Sequence, residues 1–144
     1  MGSEMCIRDR IVTMTGAQPW CGEPDAEAIE ATTGVTCRTM WDGDLFRLGD
    51  VELDVIGLVG HTRGSIALRL HGNPSDHVLT GDSLFPGRLG KTSGSREFES
   101  LYTDVCMKIF APASDTTVIH PGHGDATTVG EERPNLPLWR ARGW

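Results

Sequence analysis

Two histidines and one aspartate in glycine-rich segments are the residues of this chain best suited to chemistry. His61 lies in GHTRGS at residues 60–65, Asp82 in TGDSLFPG at 80–87, and His123 in PGHG at 121–124. Imidazole nitrogens and carboxylate oxygens are ligands that zinc and other transition metals accept in proteins. These three side chains are therefore candidate metal ligands, provided that the fold brings them together.

Each candidate ligand follows a short apolar run that is rich in β-branched residues. The runs are residues 51–59, 78–80 and 116–119, and each predicts a strand. Open α/β sheets place ligand sites in loops beyond the strand ends, where glycine lets the backbone bend and approach closely. We therefore expect His61, Asp82 and His123 to converge at one edge of a sheet.

Further strands are predicted by alternating or β-branched patterns. They are a strand at 11–15, a hairpin of 44–48 and 51–55 around Gly49-Asp50, and a strand at 65–70 with Ile66, Leu68 and Leu70 on one face. We also expect His71 and His77 to be exposed beside the turn at residues 71–74, and His120 to be a packing residue or a support for a ligand histidine.

Helices are predicted by capping residues and by apolar spacing. Asp25 is placed to cap a helix over residues 26–33, which Gly34 would end. Residues 128–131 match a capping box. A longer helix with Ser95 as its N-cap is predicted by four apolar residues at helical spacing. These are Phe98, Leu101, Val105 and Ile109.

The order and spacing of the three motifs, together with TTVGEE at 127–132, resemble the later part of the metallo-β-lactamase-fold hydrolases. The branch that the chain resembles is the bacterial glyoxalase II-like, or hydroxyacylglutathione hydrolase-like, group. The resemblance runs from about residue 14 to the C-terminus and implies an αββα sandwich. The family's Thr-His-x-His-x-Asp-His loop, which supplies four of its seven metal ligands, is absent, since no histidine precedes His61. The resemblance therefore implies a truncated sandwich.

The resemblance also implies residue roles. In the family pattern, His61 completes one metal site, Asp82 bridges two metals and His123 completes the second site. This implies a zinc-dependent hydrolase that acts on a thioester, ester or lactone through a metal-bound hydroxide, with Asp82 as a catalytic residue and one or two zinc ions in the intact parent. Lys91 matches a family position that contacts a substrate carboxylate, and an exposed loop lysine is the competing interpretation.

Two alternatives to the hydrolase stay open. One is a remnant of the family's sulfur dioxygenases, which hold one iron with two histidines and one aspartate. The other is a non-catalytic fragment. For the chain as written we expect the fragment, and for its parent we expect the hydrolase.

The N-terminal residues indicate that the start of the chain is not part of the natural protein. Residues 2–10, GSEMCIRDR, resemble the translation of a transposon-end sequencing adapter. We therefore interpret residues 1–10 as an artefactual leader and residues 11–144 as a partial domain of the metallo-β-lactamase type. An ordinary polar tail is the alternative.

Composition excludes several partners. A net charge of −7 and the lack of clustered lysine or arginine argue against nucleic acid as a partner, because nucleic-acid binding needs basic patches. No apolar run reaches the ~18 residues of a membrane span. Outside the leader, Cys21, Cys37 and Cys106 form no C-x-x-C pair, which favours reduced thiols in the cytoplasm. We expect a small-molecule substrate and leave the oligomeric state open.

Overall fold

The computed structural model describes the backbone of residues 2–143 and the side chains of residues 9–143. Ten strands are described, and in chain order they are β1 (Trp20–Gly22), β2 (Arg38–Met40), β3 (Leu45–Leu48), β4 (Val51–Gly57), β5 (Ile66–Leu70), β6 (His77–Gly81), β7 (Leu84–Phe85), β8 (Arg88–Leu89), β9 (Val118–Pro121) and β10 (Thr127–Thr128). The helices are α1 (Gly2–Thr15), α2 (Ala26–Thr33), α3 (Ser95–Asp104), α4 (Val129–Glu132) and α5 (Leu136–Arg142). A π-helical segment, Val105–Phe110, continues α3.

A six-stranded mixed sheet forms the centre of the fold. Its spatial order is β10-β9-β6-β5-β4-β3, and of its neighbouring pairs only β6 and β9 run parallel. The predicted hairpin is confirmed, because Leu48 pairs with Val51 and Leu45 with Asp54. Since β4 and β6 are both antiparallel to β5, the chain leaves β4, β6 and β9 at the same edge of the sheet.

One face of the sheet packs against helices and forms the main core. Ala67, Val78 and Ile119 project from three strands and are completely buried. They join the four apolar residues whose spacing predicted a helix, all of which are buried in α3 or its π-helical continuation. Trp139 of α5 closes the same core at 2% exposure. The mixed α/β architecture expected from the sequence is therefore confirmed.

The opposite face of the sheet is covered only in part. The segment that follows β2 lies over the end of β4. Asp42 in this segment accepts a hydrogen bond from the Gly57 amide at 2.8 Å, and a Cβ on Gly57 would lie 3.0 Å from the Trp41 ring. Further along this face, Leu79 pairs across strands with Leu68 and remains 47% exposed. The structure thus contains one fully packed helical layer and a sheet whose second face is half open.

The strand predicted over residues 11–15 is wrong, because these residues end helix α1. Ile11 is 51% exposed and Met14 is 80% exposed, so neither side chain is buried against another element. A lone segment satisfies its backbone polar groups locally as a helix, whereas a strand needs a partner. An artefactual leader is expected to pack against nothing, and this expectation for residues 2–10 falls largely outside the described side chains, which begin at residue 9.

The histidine environment also differs from expectation at one position. His71 is exposed, as predicted, but His77 is only partly exposed because it starts β6 and lies beside β9. Its Nδ1 lies 3.0 Å from Nε2 of His120, which is a hydrogen-bond distance. His120 therefore packs against another histidine within the sheet.

His71 links two parts of the sheet through carboxylates. Its Nε2 lies 2.7 Å from Asp54 and its Nδ1 lies 3.1 Å from Asp76. These hydrogen bonds, that of Asp54 first, raise the pKa of His71 above its ordinary 6.5, and a hydrogen bond from the Gly72 amide lowers the pKa of Asp76 below 3.8. The cluster is thus most favourable when the His71 imidazole is charged and the Asp76 carboxylate is ionised.

We expect the His71 cluster to stabilise the fold only in mildly acidic solution. A raised folded-state pKa gives stability that is present below the unfolded value, about 6.5, and lost as the pH rises through the folded value. His71→Ala should therefore lower Tm by about 1–4 °C near pH 5.5, a modest effect because the side chain is exposed. Thermal unfolding at pH 5.5 and pH 9 checks this, and an equal difference at both values would contradict it.

In the part of the chain that the structure describes, no helix combines the length and the apolar character needed to cross a bilayer.

Candidate functional site

His61, Asp82 and His123 come together at the edge where β4, β6 and β9 end. Nε2 of His61 lies 4.0 Å from Oδ2 of Asp82, and Nδ1 of His123 lies 3.2 Å from Oδ1 of the same carboxylate. The convergence that the loop positions predicted is therefore seen in the structure. Each carboxylate oxygen faces a different imidazole, which places the carboxylate between the two rings.

Two glycines allow the backbone to close around Asp82. A Cβ on Gly122 would lie 2.7 Å from Oδ1 of Asp82, which is shorter than any normal contact. A Cβ on Gly90 would lie 1.8 Å from the Asp82 carbonyl oxygen. A side chain at either position would displace Asp82, so these glycines belong to the geometry of the site.

The backbone of Lys91 orients the His61 ring. Nδ1 of His61 lies 2.6 Å from the Lys91 carbonyl oxygen, and a carbonyl can only accept a hydrogen bond. Nδ1 must therefore carry the proton, which leaves the Nε2 lone pair of the neutral ring directed towards Asp82. A hydrogen bond of this kind is how proteins fix the tautomer of metal-binding histidines.

We expect His61 to populate the Nδ1–H tautomer in solution. Two-bond ¹H–¹⁵N correlation spectra at about pH 8.5, where ordinary imidazoles with pKa near 6.5 are neutral, report which ring nitrogen is protonated. The Nδ1 signal should have the shift of a protonated nitrogen and Nε2 that of an unprotonated one. His61→Ala identifies the resonance, and a dominant Nε2–H form would contradict the orientation.

The His61 loop is braced by an unexpected residue, Asp25. Its Oδ1 accepts a hydrogen bond from the Gly64 amide at 2.9 Å, and its Oδ2 accepts one from the Thr62 hydroxyl. The sequence predicted Asp25 as the side-chain cap of α2, but no such capping hydrogen bond forms. The carboxylate instead binds donors 37 and 39 residues away, which local sequence patterns do not reveal.

The site is open to solvent, and its three side chains differ in how far they are buried. The His61 side chain is 32% exposed, Asp82 is 43% exposed and His123 is 62% exposed. The His123 ring rests against Phe85, with ring centroids 4.8 Å apart. His61 is thus the better fixed of the two histidines.

These donors are chemically suited to a metal but incomplete as a set. Among residues 9–143, whose side chains the structure describes, no group of three or more His, Cys, Asp or Glu side chains is arranged to hold a metal ion. The reason lies in the geometry, since Asp82 offers one oxygen to each histidine and an ion at either side would have only two protein ligands. Catalytic zinc sites generally use three protein ligands and an open position.

The predicted substrate role of Lys91 remains a prediction. Its side chain is exposed, and no carboxylate among the described residues forms an ion pair with it. What the structure adds is its backbone contact with His61, which the sequence did not suggest.

The curated proteins similar to this chain include uncharacterized proteins and proteins with a named activity. An uncharacterized protein of Mycobacterium leprae (strain TN) is 42% identical over 100 residues, which span 67% of this chain and 44% of that protein. Hydroxyacylglutathione hydrolase GloC of Haemophilus influenzae is 31% identical over 102 residues, spanning 70% of this chain and 47% of that protein. An uncharacterized 11.5 kDa protein of Rhodococcus erythropolis is 34% identical over 98 residues, 62% of this chain and 91% of that protein.

Solved structures with the same fold cover most of this chain. A metallo-β-lactamase from Staphylococcus aureus has a TM-score of 0.75 at 20% identity, over 92% of this chain and 43% of that one. ETHE1 from Myxococcus xanthus has a TM-score of 0.63 at 25% identity, over 81% and 57%. TTHA1623, solved in a di-iron-bound form, has a TM-score of 0.62 at 24% identity, over 90% and 69%.

No protein-family profile matches the chain. The chain spans slightly less than half the length of the first curated relatives that it matches, 44–45% of each. The resemblance inferred from the sequence motifs is nevertheless confirmed, both by the solved structures of this fold and by the hydroxyacylglutathione hydrolases among the relatives.

Proposed function

Because this chain belongs to the metallo-β-lactamase-fold proteins, we propose that it carries part of the active site of a metal-dependent hydrolase acting on a thioester, ester or lactone. The observation that supports this most is the position of Asp82, whose two carboxylate oxygens face His61 and His123 separately. A carboxylate placed in this way suits a bridge between two metal ions. The similarity to hydroxyacylglutathione hydrolases points in the same direction.

In this proposal each of the three candidate ligands has a distinct role. His61 presents Nε2, because Lys91 holds its other nitrogen, and Asp82 presents one oxygen to each side. His123 completes the second side. The metal, when bound, would polarise the substrate carbonyl and activate water as a nucleophile, which is the usual contribution of such ions to hydrolysis.

We propose zinc as the metal and a small molecule in the cytoplasm as the substrate. Nitrogen and carboxylate donors suit zinc, but they also suit iron. The di-iron-bound form of TTHA1623 is a protein of this fold that holds iron. The identity of the metal is therefore part of the test.

A second candidate function is an iron-dependent sulfur dioxygenase. Two histidines and one aspartate hold the single iron of that site, and of such a set this chain would retain His61 and Asp82, which lie 4.0 Å apart. His123 lies beside Asp82 through Nδ1 at 3.2 Å. His123 thus faces the Asp82 oxygen that does not face His61. This arrangement favours two metal positions, and therefore the hydrolase.

The proposal is tested on the gene that encodes this chain. Extending the reading frame upstream of Ile11 should reveal an in-frame His-x-His-x-Asp-His segment, and the extended protein should then bind two metal equivalents and hydrolyse thioester or lactone substrates. Asp82→Ala should abolish turnover and lower the metal content, whereas Asp50→Ala, an exposed turn carboxylate, should do neither. One iron per chain with oxygen-dependent sulfur oxidation would select the dioxygenase, and an extended protein without metal would reject both.

A further inference from the structure

Strand β3 lies at one end of the six-stranded sheet, and its outer edge is uncovered. In the part of the chain that the structure describes, β3 pairs with β4 alone. A groove of about 330 Å³ runs beside it, with Trp20, Phe46 and Arg47 among its walls. A strand at the end of a sheet presents unpaired N–H and C=O groups that can pair with another strand. The outer edge of β3 is therefore a candidate interaction surface.

The free backbone groups of this edge belong to Leu45 and Arg47. The Val55 amide donates to the Asp44 carbonyl at 2.9 Å, so these two residues occupy a hydrogen-bonded position of the hairpin. Hydrogen-bonded pairs alternate along an antiparallel ladder, so Phe46 occupies the next one with its partner on β4. The amides and carbonyls of Leu45 and Arg47 consequently point away from β4.

Strand β3 lacks the features that usually keep a sheet edge from associating. It contains no proline or lysine, and its register with β4 has no bulge. Leu45 is 54% exposed and Leu48 is 65% exposed. The charged side chain of β3, Arg47, is engaged within its own sheet, because its Nε and Nη2 donate to Oε1 of Glu52 at 2.9 and 2.6 Å. Lysines, prolines and bulges are the common protection of sheet edges, so this edge is open to pairing.

We propose that β3 is an interface between two copies of this chain, which pair antiparallel about a two-fold axis with Phe46 opposite the partner's Phe46. In this register Leu45 lies opposite the partner's Arg47 on each side of the axis. Because the backbone groups of both residues point outwards, each such pair exchanges two hydrogen bonds. The same patch serves both copies, as a two-fold interface requires.

The sequence of β3 favours a second copy in this register over neighbouring registers. A register centred on Arg47 would place two arginines directly opposite each other, and like charges in that position are destabilising. A register centred on Leu45 would align Arg47 with Gly43, whose amide already donates to the Val55 carbonyl at 3.0 Å. The register centred on Phe46 uses all the free groups and contains no like-charge pair.

Aromatic side chains would add to this interface. The Phe46 ring is in edge contact with Trp20, with centroids 5.2 Å apart, and Trp20 is 39% exposed. Two copies would thus bring two such pairs together, and cross-strand aromatic pairs stabilise sheets. The strand is only four residues long, and interfaces below about 1,200 Å² usually associate weakly. We therefore expect a dimer that dissociates on dilution.

The test is sedimentation velocity of this chain over a hundred-fold range of concentration, with EDTA present so that no metal ion links the copies. We expect a reversible monomer–dimer equilibrium. Leu45→Lys places a positive charge opposite the partner's Arg47 and should weaken the dimer by roughly ten-fold or more. Leu138→Lys, the same change at an exposed position of α5, should leave it unchanged. A monomer at every concentration, or equal weakening by both variants, would overturn the proposal.

A charge exchange tests the register. Adding Arg47→Glu to Leu45→Lys places the new lysine opposite a carboxylate of the partner, so the double variant should regain dimer affinity. Far-UV circular dichroism checks that each variant is folded. A double variant that dimerises no better than Leu45→Lys alone would contradict the register.

The half-open face of the sheet is the competing place for a dimer. Leu79 is 47% exposed on that face, so Leu79→Lys should not affect a dimer formed through β3. Loss of the dimer in Leu79→Lys, with an unchanged dimer in Leu45→Lys, would move the interface to the sheet face and overturn the proposal.

Amide hydrogen exchange gives a readout at the edge itself. The Leu45 and Arg47 amides should exchange rapidly in dilute protein and become protected as the concentration rises, whereas the Phe46 amide, which bonds to β4, should be protected throughout. Exchange of the first two amides that does not depend on concentration would contradict pairing at β3.

Discussion

Leu101→Ala is expected to lower the free energy of unfolding by about 2–5 kcal/mol, a large part of the roughly 5–15 kcal/mol that holds a typical domain together. Leu101 is completely buried in α3, within the core between the helices and the sheet. It also supports the candidate site, because a Cβ on Gly60 would lie 2.5 Å from the Leu101 Cβ. Loss of this side chain leaves a cavity beneath the His61 loop.

A matched leucine separates burial from helix propensity. Leu138 lies in α5 and is 66% exposed, so Leu138→Ala should change the free energy of unfolding by no more than about 0.5 kcal/mol. Urea unfolding followed by circular dichroism measures both variants. Comparable destabilisation by the two changes would show that the core does not lie where the structure places it.

The helix that contains Leu101 could be predicted from the sequence because its signal is periodic. Apolar residues at helical spacing identify the face that packs, and Phe98, Leu101, Val105 and Ile109 are all buried. The same holds for the capping box, in which Thr128 and Glu131 exchange the hydrogen bonds that their spacing predicts. Both patterns depend on residues a few positions apart, so the chain displays them directly.

The convergence of His61, Asp82 and His123 could be predicted for a different reason. The three loops follow strands that end at the same sheet edge, and glycines flank each loop. Strand direction and loop position were therefore sufficient. The distances were not, since they depend on Gly90 and Gly122 packing against Asp82.

What the sequence could not supply are contacts between residues far apart in the chain. Asp25 was assigned to a helix cap because its neighbours fit that pattern, yet the carboxylate is used by donors in the His61 loop. His77 was expected to be exposed because it follows a turn, yet a neighbouring strand brings His120 to it. In both cases a tertiary partner replaced the local one.

The chain as it stands is expected to have no measurable hydrolase activity, even with Zn²⁺ added. His61, Asp82 and His123 provide at most two protein ligands on each side of the carboxylate, and catalytic zinc sites generally need three. A single weakly held ion is the most that such a set could retain. The exposure of His123, 62%, further reduces the pre-organisation that tight binding requires.

Purified chain should therefore be assayed with excess Zn²⁺ against thioester, lactone and β-lactam substrates, beside Asp82→Ala and the control Asp50→Ala. We expect all three proteins to give the rate of zinc in buffer, because an ion with two exposed protein ligands neither positions a substrate nor excludes water from it. Residual adventitious catalysis would be equal in the three proteins. Turnover that disappears in Asp82→Ala but persists in Asp50→Ala would instead require further ligands for Asp82 from within this chain, and would contradict the incomplete donor set that the geometry indicates.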